Sequence, residues 1–104
     1  LVDDTRIQAS DGTLKGTMYI TYPEASSEFQ KRYMQRYGEA AGVAADTAYD
    51  VVHLYAKAME RSKTTDPQVV AQAMHDLRVT GASGEIVFDV HGGVVREPIV
   101  QVVD

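Results

Sequence analysis

The stretch Ala44-Ala-Asp-Thr-Ala-Tyr-Asp-Val-Val-His-Leu-Tyr-Ala-Lys-Ala-Met-Glu-Arg61 decides the reading of this chain. Ala45, Ala48, Val52, Tyr55, Ala56 and Met59 recur at helical spacing and form one broad apolar stripe. Ala44, Val51, Leu54 and Ala58 carry apolar character onto the flanks, leaving Asp46, Asp50, His53, Lys57 and Glu60 as the strongly polar positions. A helix so apolar around its circumference is expected to be covered on more than one side. The spacing therefore predicts a packed central helix with the other elements laid against it, its alanines letting neighbouring backbones come close.

Upstream, Leu14–Tyr22 reads as a strand, rich in β-branched and aromatic residues, with Met18 and Ile20 on one face and Thr17, Tyr19 and Thr21 on the other. Pro23, which has no backbone donor, ends it. Residues 1–13 are polar and mixed; Leu1, Val2 and Ile7 are compatible with a short helical turn. Ser26 or Ser27 starts a helix, and Ser27 with Gln30 fits a capping box. Phe29, Tyr33 and Tyr37 form its aromatic stripe, and Gly38 is its C-cap.

Downstream, Asp66-Pro67 opens a third helix with Asp at the N-cap and Pro in the first turn. Its apolar side is Val69, Val70, Ala73, Met74 and Leu77. Gly81 and Gly84 bracket a flexible turn. Glu85–Asp89 and Val94–Val103 then read as two strands joined through Val90-His91-Gly92-Gly93, with Pro98 marking an edge or an irregularity. The fold class is α/β: a strand, three helices, then a β-hairpin.

Composition narrows the function. The chain has 104 residues, about one domain, and its 44% hydrophobic content is that of a globular chain. The net charge of −5, with acidic and basic residues interspersed, argues against a nucleic-acid partner, which calls for clustered Lys and Arg. The chain has no cysteine, hence no disulfide and no Cys-based metal site or nucleophile. No stretch approaches the roughly 18 apolar residues of a membrane span. The chain starts Leu1-Val2-Asp3-Asp4 without a Met and without a signal peptide, which predicts a piece of a longer protein.

No catalytic constellation emerges. His53, His75 and His91 lack metal-type spacing and read as structural or solvated. Gly81-x-x-Gly84 and Gly92-Gly93 lack the strand, Gly-rich turn and helix order of a phosphate loop, and turns explain them better. Asp46 and Asp50, four apart, could serve as a cation-ligand pair, but the commoner role is to line the N-terminal half of a helix, where the dipole favours negative charge. Among six tyrosines, Tyr22 and Tyr49 lie at element ends and are candidates for a pocket wall or hinge, whereas Tyr33, Tyr37 and Tyr55 read as core or rim residues.

Four pieces in order carry a resemblance: Gly16-Thr-Met-Tyr-Ile-Thr; Phe29-x-x-x-Tyr33-x-x-x-Tyr37-Gly38; Ala48-Tyr49-Asp50-Val-Val with Ala56-x-Ala58-Met-Glu; and Gly81-x-x-Gly84-Glu-Ile-Val-Phe88-Asp89-x-x-Gly92. Together, over Leu14 to Val103, the chain resembles the C-terminal third of the periplasmic substrate-binding proteins of branched-chain amino acid (Leu/Ile/Val) ABC transporters, of periplasmic-binding fold type I.

The resemblance implies part of a two-lobed fold that closes on its ligand by a hinge motion. Gly84–Gly92 would match the last crossing between the lobes. It also implies a single incomplete domain over residues 1–104, no catalysis and no cofactor. The intact protein would sit in the periplasm, with an amino acid or related carboxylate as ligand and an ABC-transporter permease as partner. Most ligand contacts, including an acidic residue for the ligand amine, would precede Leu1. Carried onto this chain, Ala44, Asp46 and Tyr49 fall where the family's cleft comes close, and Tyr22 follows the strand toward the hinge. Where many members carry an aromatic, this chain has Ala44-Ala45.

By itself the chain is expected to bind ligand weakly or not at all and to associate, in the extreme as a homodimer with exchanged elements. Two other readings stay open. One is the ligand-sensing region of a receptor with the same fold, which a following membrane span and signalling domain would favour. The other is a small α/β enzyme, which would need a pocket with a titratable pair.

Overall fold

The computed structural model describes residues 2–104, and the chain separates into two compact units. One comprises the residues up to Pro23 together with Glu97–Asp104, the other Glu24–Arg96, so the chain passes from one unit to the other after Pro23 and back after Arg96.

In the first unit, α1 (Asp4–Ala9) is capped by Asp3, whose carboxylate accepts from the Arg6 N–H at 2.9 Å. The expected turn of helix is therefore present around Ile7, while Leu1 lies outside the described residues. Strand β1 (Met18–Thr21) is shorter than the run Leu14–Tyr22 expected. The left-handed Gly16 (φ 83°) turns the chain just before it. The partner of β1 is the chain's last strand, Ile99–Val102, antiparallel, with Met18 opposite Val102 and Ile20 opposite Val100. Period-two alternation puts these four apolar side chains on one face, and all are exposed. On the other face the Tyr19 hydroxyl donates to Gln101 Oε1 across the strands at 2.7 Å.

The second unit opens with α2 (Ser27–Tyr37). Ser26 is its cap, accepting from the Phe29 N–H, and Gly38 closes it in the left-handed conformation (φ 71°). The Ser27–Gln30 capping box does not form: the Gln30 amide donates to the Ala25 carbonyl at 2.7 Å. The aromatic stripe is present, with Phe29–Tyr33 centroids 5.9 Å apart and Tyr33–Tyr37 4.6 Å apart. Helix α3 (Ala45–Ser62) follows, and then α4 (Pro67–His75), whose Asp66 cap accepts from Gln68 and Val69 N–H. Strands β2 (Arg78–Gly81) and β3 (Gly84–Val87) form a hairpin around Ala82-Ser83. The last strand, β4 (Ile99–Val102), is the partner of β1 described above.

Two expectations need correction. The central helix buries a different face from the one its composition favoured. Leu54 and Ala58 enter the core with Val70, Leu77, Val79 and Ile86, and Ala58 is 0% exposed. On the expected stripe Val52 is 68% exposed, and Tyr55 and Met59 are exposed as well. The face that is buried is the Leu54–Ala58 face, onto which α4 and β2 pack. Periodicity shows which residues share a face; where several faces are apolar it does not say which one a neighbour takes.

The hairpin is also displaced. Gly81 and Gly84 do bracket a turn, but they also end β2 and begin β3, so this tight turn is a hairpin. The turn at 89–93 forms, with the Asp89 carboxylate accepting from His91 and Gly93 N–H, but beyond it only Phe88 and Val94 are bridged. The pairing stops short of Pro98, and residues 99–102 pair with β1 instead. Gly84–Gly92, matched above to a crossing, lies wholly inside the second unit.

Candidate functional site

Asp50 is a carboxylate on the buried stripe of α3, four residues before Leu54 and eight before Ala58, and it is 4% exposed. Such a group needs partners, and three are present. The Ala82 N–H donates to Oδ1 at 2.7 Å, and the Ser83 N–H (2.8 Å) and hydroxyl (2.5 Å) both donate to Oδ2. Asp50 is thus neither a cation ligand paired with Asp46 nor a charge answering the helix dipole; it holds the β2–β3 turn. Asp46 is engaged locally, accepting from the Thr47 N–H at 2.9 Å.

Gly81 has a steric reason to be glycine. A Cβ there would stand 2.6 Å from Asp50 Oδ2, 2.5 Å from Cγ and closer still to Oδ1. Its φ is not positive, so close approach of the carboxylate, and not backbone freedom, demands the missing side chain.

Beside this node an open cleft of about 370 Å³ runs between α2, α3 and β2. Its floor is aromatic: Tyr49 lies against Phe29 (centroids 5.2 Å) and His53 (4.4 Å). Arg32 and Lys57 also line it. With Glu28 and Asp50 on the same lining, the cleft joins an aromatic floor to side chains of both charges, a surface suited to flat groups. Its Ser26 hydroxyl and Asp50 carboxylate are already engaged in the cap and the turn.

Of the residues singled out from the sequence, Tyr49 lines this cleft and is 39% exposed. Ala44 and Asp46 stand at the start of α3, Ala44 in the left-handed conformation (φ 65°) with its carbonyl accepting from the Thr47 hydroxyl. Tyr22 belongs to the first unit, where it follows β1 and directly precedes Pro23, the last residue before the passage; it is 52% exposed. Among the described residues no three of His, Asp and Glu converge as a metal site. His53 lies against Tyr49 and His75 near Phe88. The sequence reading missed the Asp50–Gly81–Ser83 node. Its available signal was one acidic residue in register with Leu54 and Ala58, since a charge on a buried stripe requires donors from elsewhere.

The four helices and two small antiparallel sheets of the described residues, arranged in this order, are part of the periplasmic-binding type I fold. The family model described as periplasmic binding protein matches residues 1–103, and the chain belongs to that family. The fold is similar to that of the leucine binding protein LivK of Thermotoga maritima (TM-score 0.80, 25% identity), covering 93% of this chain and 30% of that one. It is similar also to an ABC transporter substrate-binding protein of Desulfitobacterium hafniense in complex with Leu (TM-score 0.77, 26% identity, 88% of this chain and 30% of that one). At 22% identity, the solute binding protein of an ABC transporter of Rhodopseudomonas palustris, in complex with 3,4-dihydroxybenzoic acid, shares the fold (TM-score 0.73, 86% of this chain and 27% of that one). The curated proteins give no match. The chain therefore spans less than a third of the length of these structures. The first two of these structures are named as a leucine binding protein and an ABC transporter substrate-binding protein.

Proposed function

We propose that this chain is the C-terminal part of a periplasmic solute-capture protein. That protein would serve an ABC transporter for branched-chain amino acids or related amino and aromatic acids, and hand its ligand to the membrane permease. The observation that carries this reading is the coverage: 93% of the chain lies on 30% of a leucine binding protein. The Leu and dihydroxybenzoic acid complexes of the other two neighbours support the substrate class.

In this reading residues 1–104 are one incomplete domain of the intact protein. Ala44, Asp46 and Tyr49 approach the ligand from the start of α3, and Tyr22 serves at the hinge. The remaining contacts come from the rest of the polypeptide, so the 104-residue chain binds weakly or not at all. The exposed apolar face of Met18, Ile20, Val100 and Val102 supports self-association of the isolated chain, as a homodimer with exchanged elements.

The test is the solution mass by light scattering, with and without a panel of branched-chain and aromatic acids. A dimer indifferent to every compound is the expected result. A monomer that binds one compound at micromolar strength would carry a whole site and would overturn the reading.

A further inference from the structure

The turn that Asp50 holds makes two further bonds, and both go to the ends of the second unit. The Ala82 carbonyl accepts from the backbone N–H of Ser26 at 2.8 Å. The Ser83 carbonyl accepts from Arg96 Nη2 at 3.2 Å. Ser26 is the cap of α2 and lies two residues inside the unit's first residue, Glu24; Arg96 is the unit's last residue. One two-residue turn thus engages the chain at its point of arrival and at its point of departure. It is itself fixed by a buried side chain of the central helix.

We propose that Asp50 is a positioning residue for the hinge: through the Ala82-Ser83 turn it sets where both passages of the chain leave the second unit. Asp50 holds the amide side of the turn, leaving the two carbonyls aimed at Ser26 and Arg96. The absent side chain at Gly81 lets the carboxylate come close enough to do so. In a two-lobed binding protein, hinge residues absorb the backbone change of closure, and that change needs a fixed end to work against. The inference rests on the binding-protein reading above for the meaning of the passages. The node itself is read from the second unit alone.

The experiment is amide hydrogen exchange by NMR on the 104-residue chain and its Asp50→Asn variant, without ligand. Asn keeps one acceptor oxygen and turns an NH2 donor toward the turn, so at least one of the Ala82 and Ser83 amides loses its acceptor and exchanges faster. The decisive site is the Ser26 amide, which does not touch Asp50: the proposal expects it to speed up at least about tenfold, with a displaced Arg96 guanidinium signal. The Gly38 amide, bonded to Met34 within α2, and the Val70 amide, bonded to Asp66 in α4, stay at wild-type rates and report an intact fold.

Acceleration at Ala82 or Ser83 with Ser26 within about twofold of wild type would make the node merely local and overturn the proposal. Should Asp50→Asn fail to fold, Ser83→Ala decides. It removes only the hydroxyl bond and is expected to speed Ser26 by a smaller factor that Ser83→Thr restores; no change at Ser26 refutes the proposal. Because no ligand is added, a failure to bind amino acids would count against the proposed function and leave this result standing.

Discussion

Replacing Gly81 by Ala adds one methyl group and tests the packing of the turn against α3. The methyl carbon would stand 2.6 Å from Asp50 Oδ2 and 2.5 Å from Cγ, so either the carboxylate or the hairpin has to move. The backbone at Gly81 is one that Ala adopts without strain, which leaves contact as the only source of cost. Overpacking of this kind costs about 1–3 kcal/mol, and loosening one charge-assisted bond to Ala82 or Ser83 adds about 1.5–3 kcal/mol.

We expect a loss of about 3 kcal/mol, a large share of the roughly 5–15 kcal/mol that holds a domain together. Urea denaturation followed by far-ultraviolet circular dichroism measures it. The same change made in Asp50→Ala isolates the cause, because that variant removes the obstructing carboxylate. The two substitutions should then be non-additive by at least about 1.5 kcal/mol, Gly81→Ala costing little once Asp50 is gone. A Gly81→Ala variant within about 0.5 kcal/mol of wild type, or strict additivity with Asp50→Ala, would refute the reasoning.

Three further outcomes follow from the packing and the caps. Ala58→Leu, at a position fully closed by its neighbours, should cost about 1–3 kcal/mol in urea denaturation, while Val52→Ala on the open face stays within about 0.5 kcal/mol; the reverse order would mean that the buried face has been misassigned. Asp66→Ala removes both cap bonds of α4 and should cost about 1 kcal/mol, and an unchanged denaturation midpoint would argue against that cap. Tyr19→Phe deletes the cross-strand bond to Gln101 and should destabilise the β1–β4 pair by about 0.5–1.5 kcal/mol, seen as faster exchange of the Val103 amide that donates to Thr17; unchanged exchange would show the bond adds nothing.

How much of this was legible differs by element. Helix ends were read well because their chemistry is local: Gly38 in its left-handed C-cap, and Asp66-Pro67 with an acceptor ahead of a residue that needs no donor, are settled within four residues of chain. The aromatic stripe of α2 is equally local. The strand pairing was not legible in the same way. Val94–Val103 has the composition of a hairpin partner, and a tight turn does precede it. The pairing nevertheless goes to β1, some 80 residues away, a partner that no local pattern announces. For the candidate site, Tyr49 stands out in the sequence as a tyrosine near an element end, and the structure puts it on the open cleft. Asp50 was passed over because its four-residue spacing from Asp46 drew attention to the wrong partner.

The sequence by itself determined the α/β class, the main helices with the caps at Gly38 and Asp66, and, through four short motifs, the family. These rest on interactions within a turn or two of helix, or on residue types that keep their order along the chain. Only the tertiary structure decided which face of α3 is buried, which strand β4 joins, and that Asp50, Gly81 and Ser83 form one node. Each of these is a choice between partners distant in sequence, and local periodicity leaves the partners nearly equivalent. The choice falls to steric fit, such as a missing Cβ at Gly81, and to the requirement that a buried carboxylate find its donors.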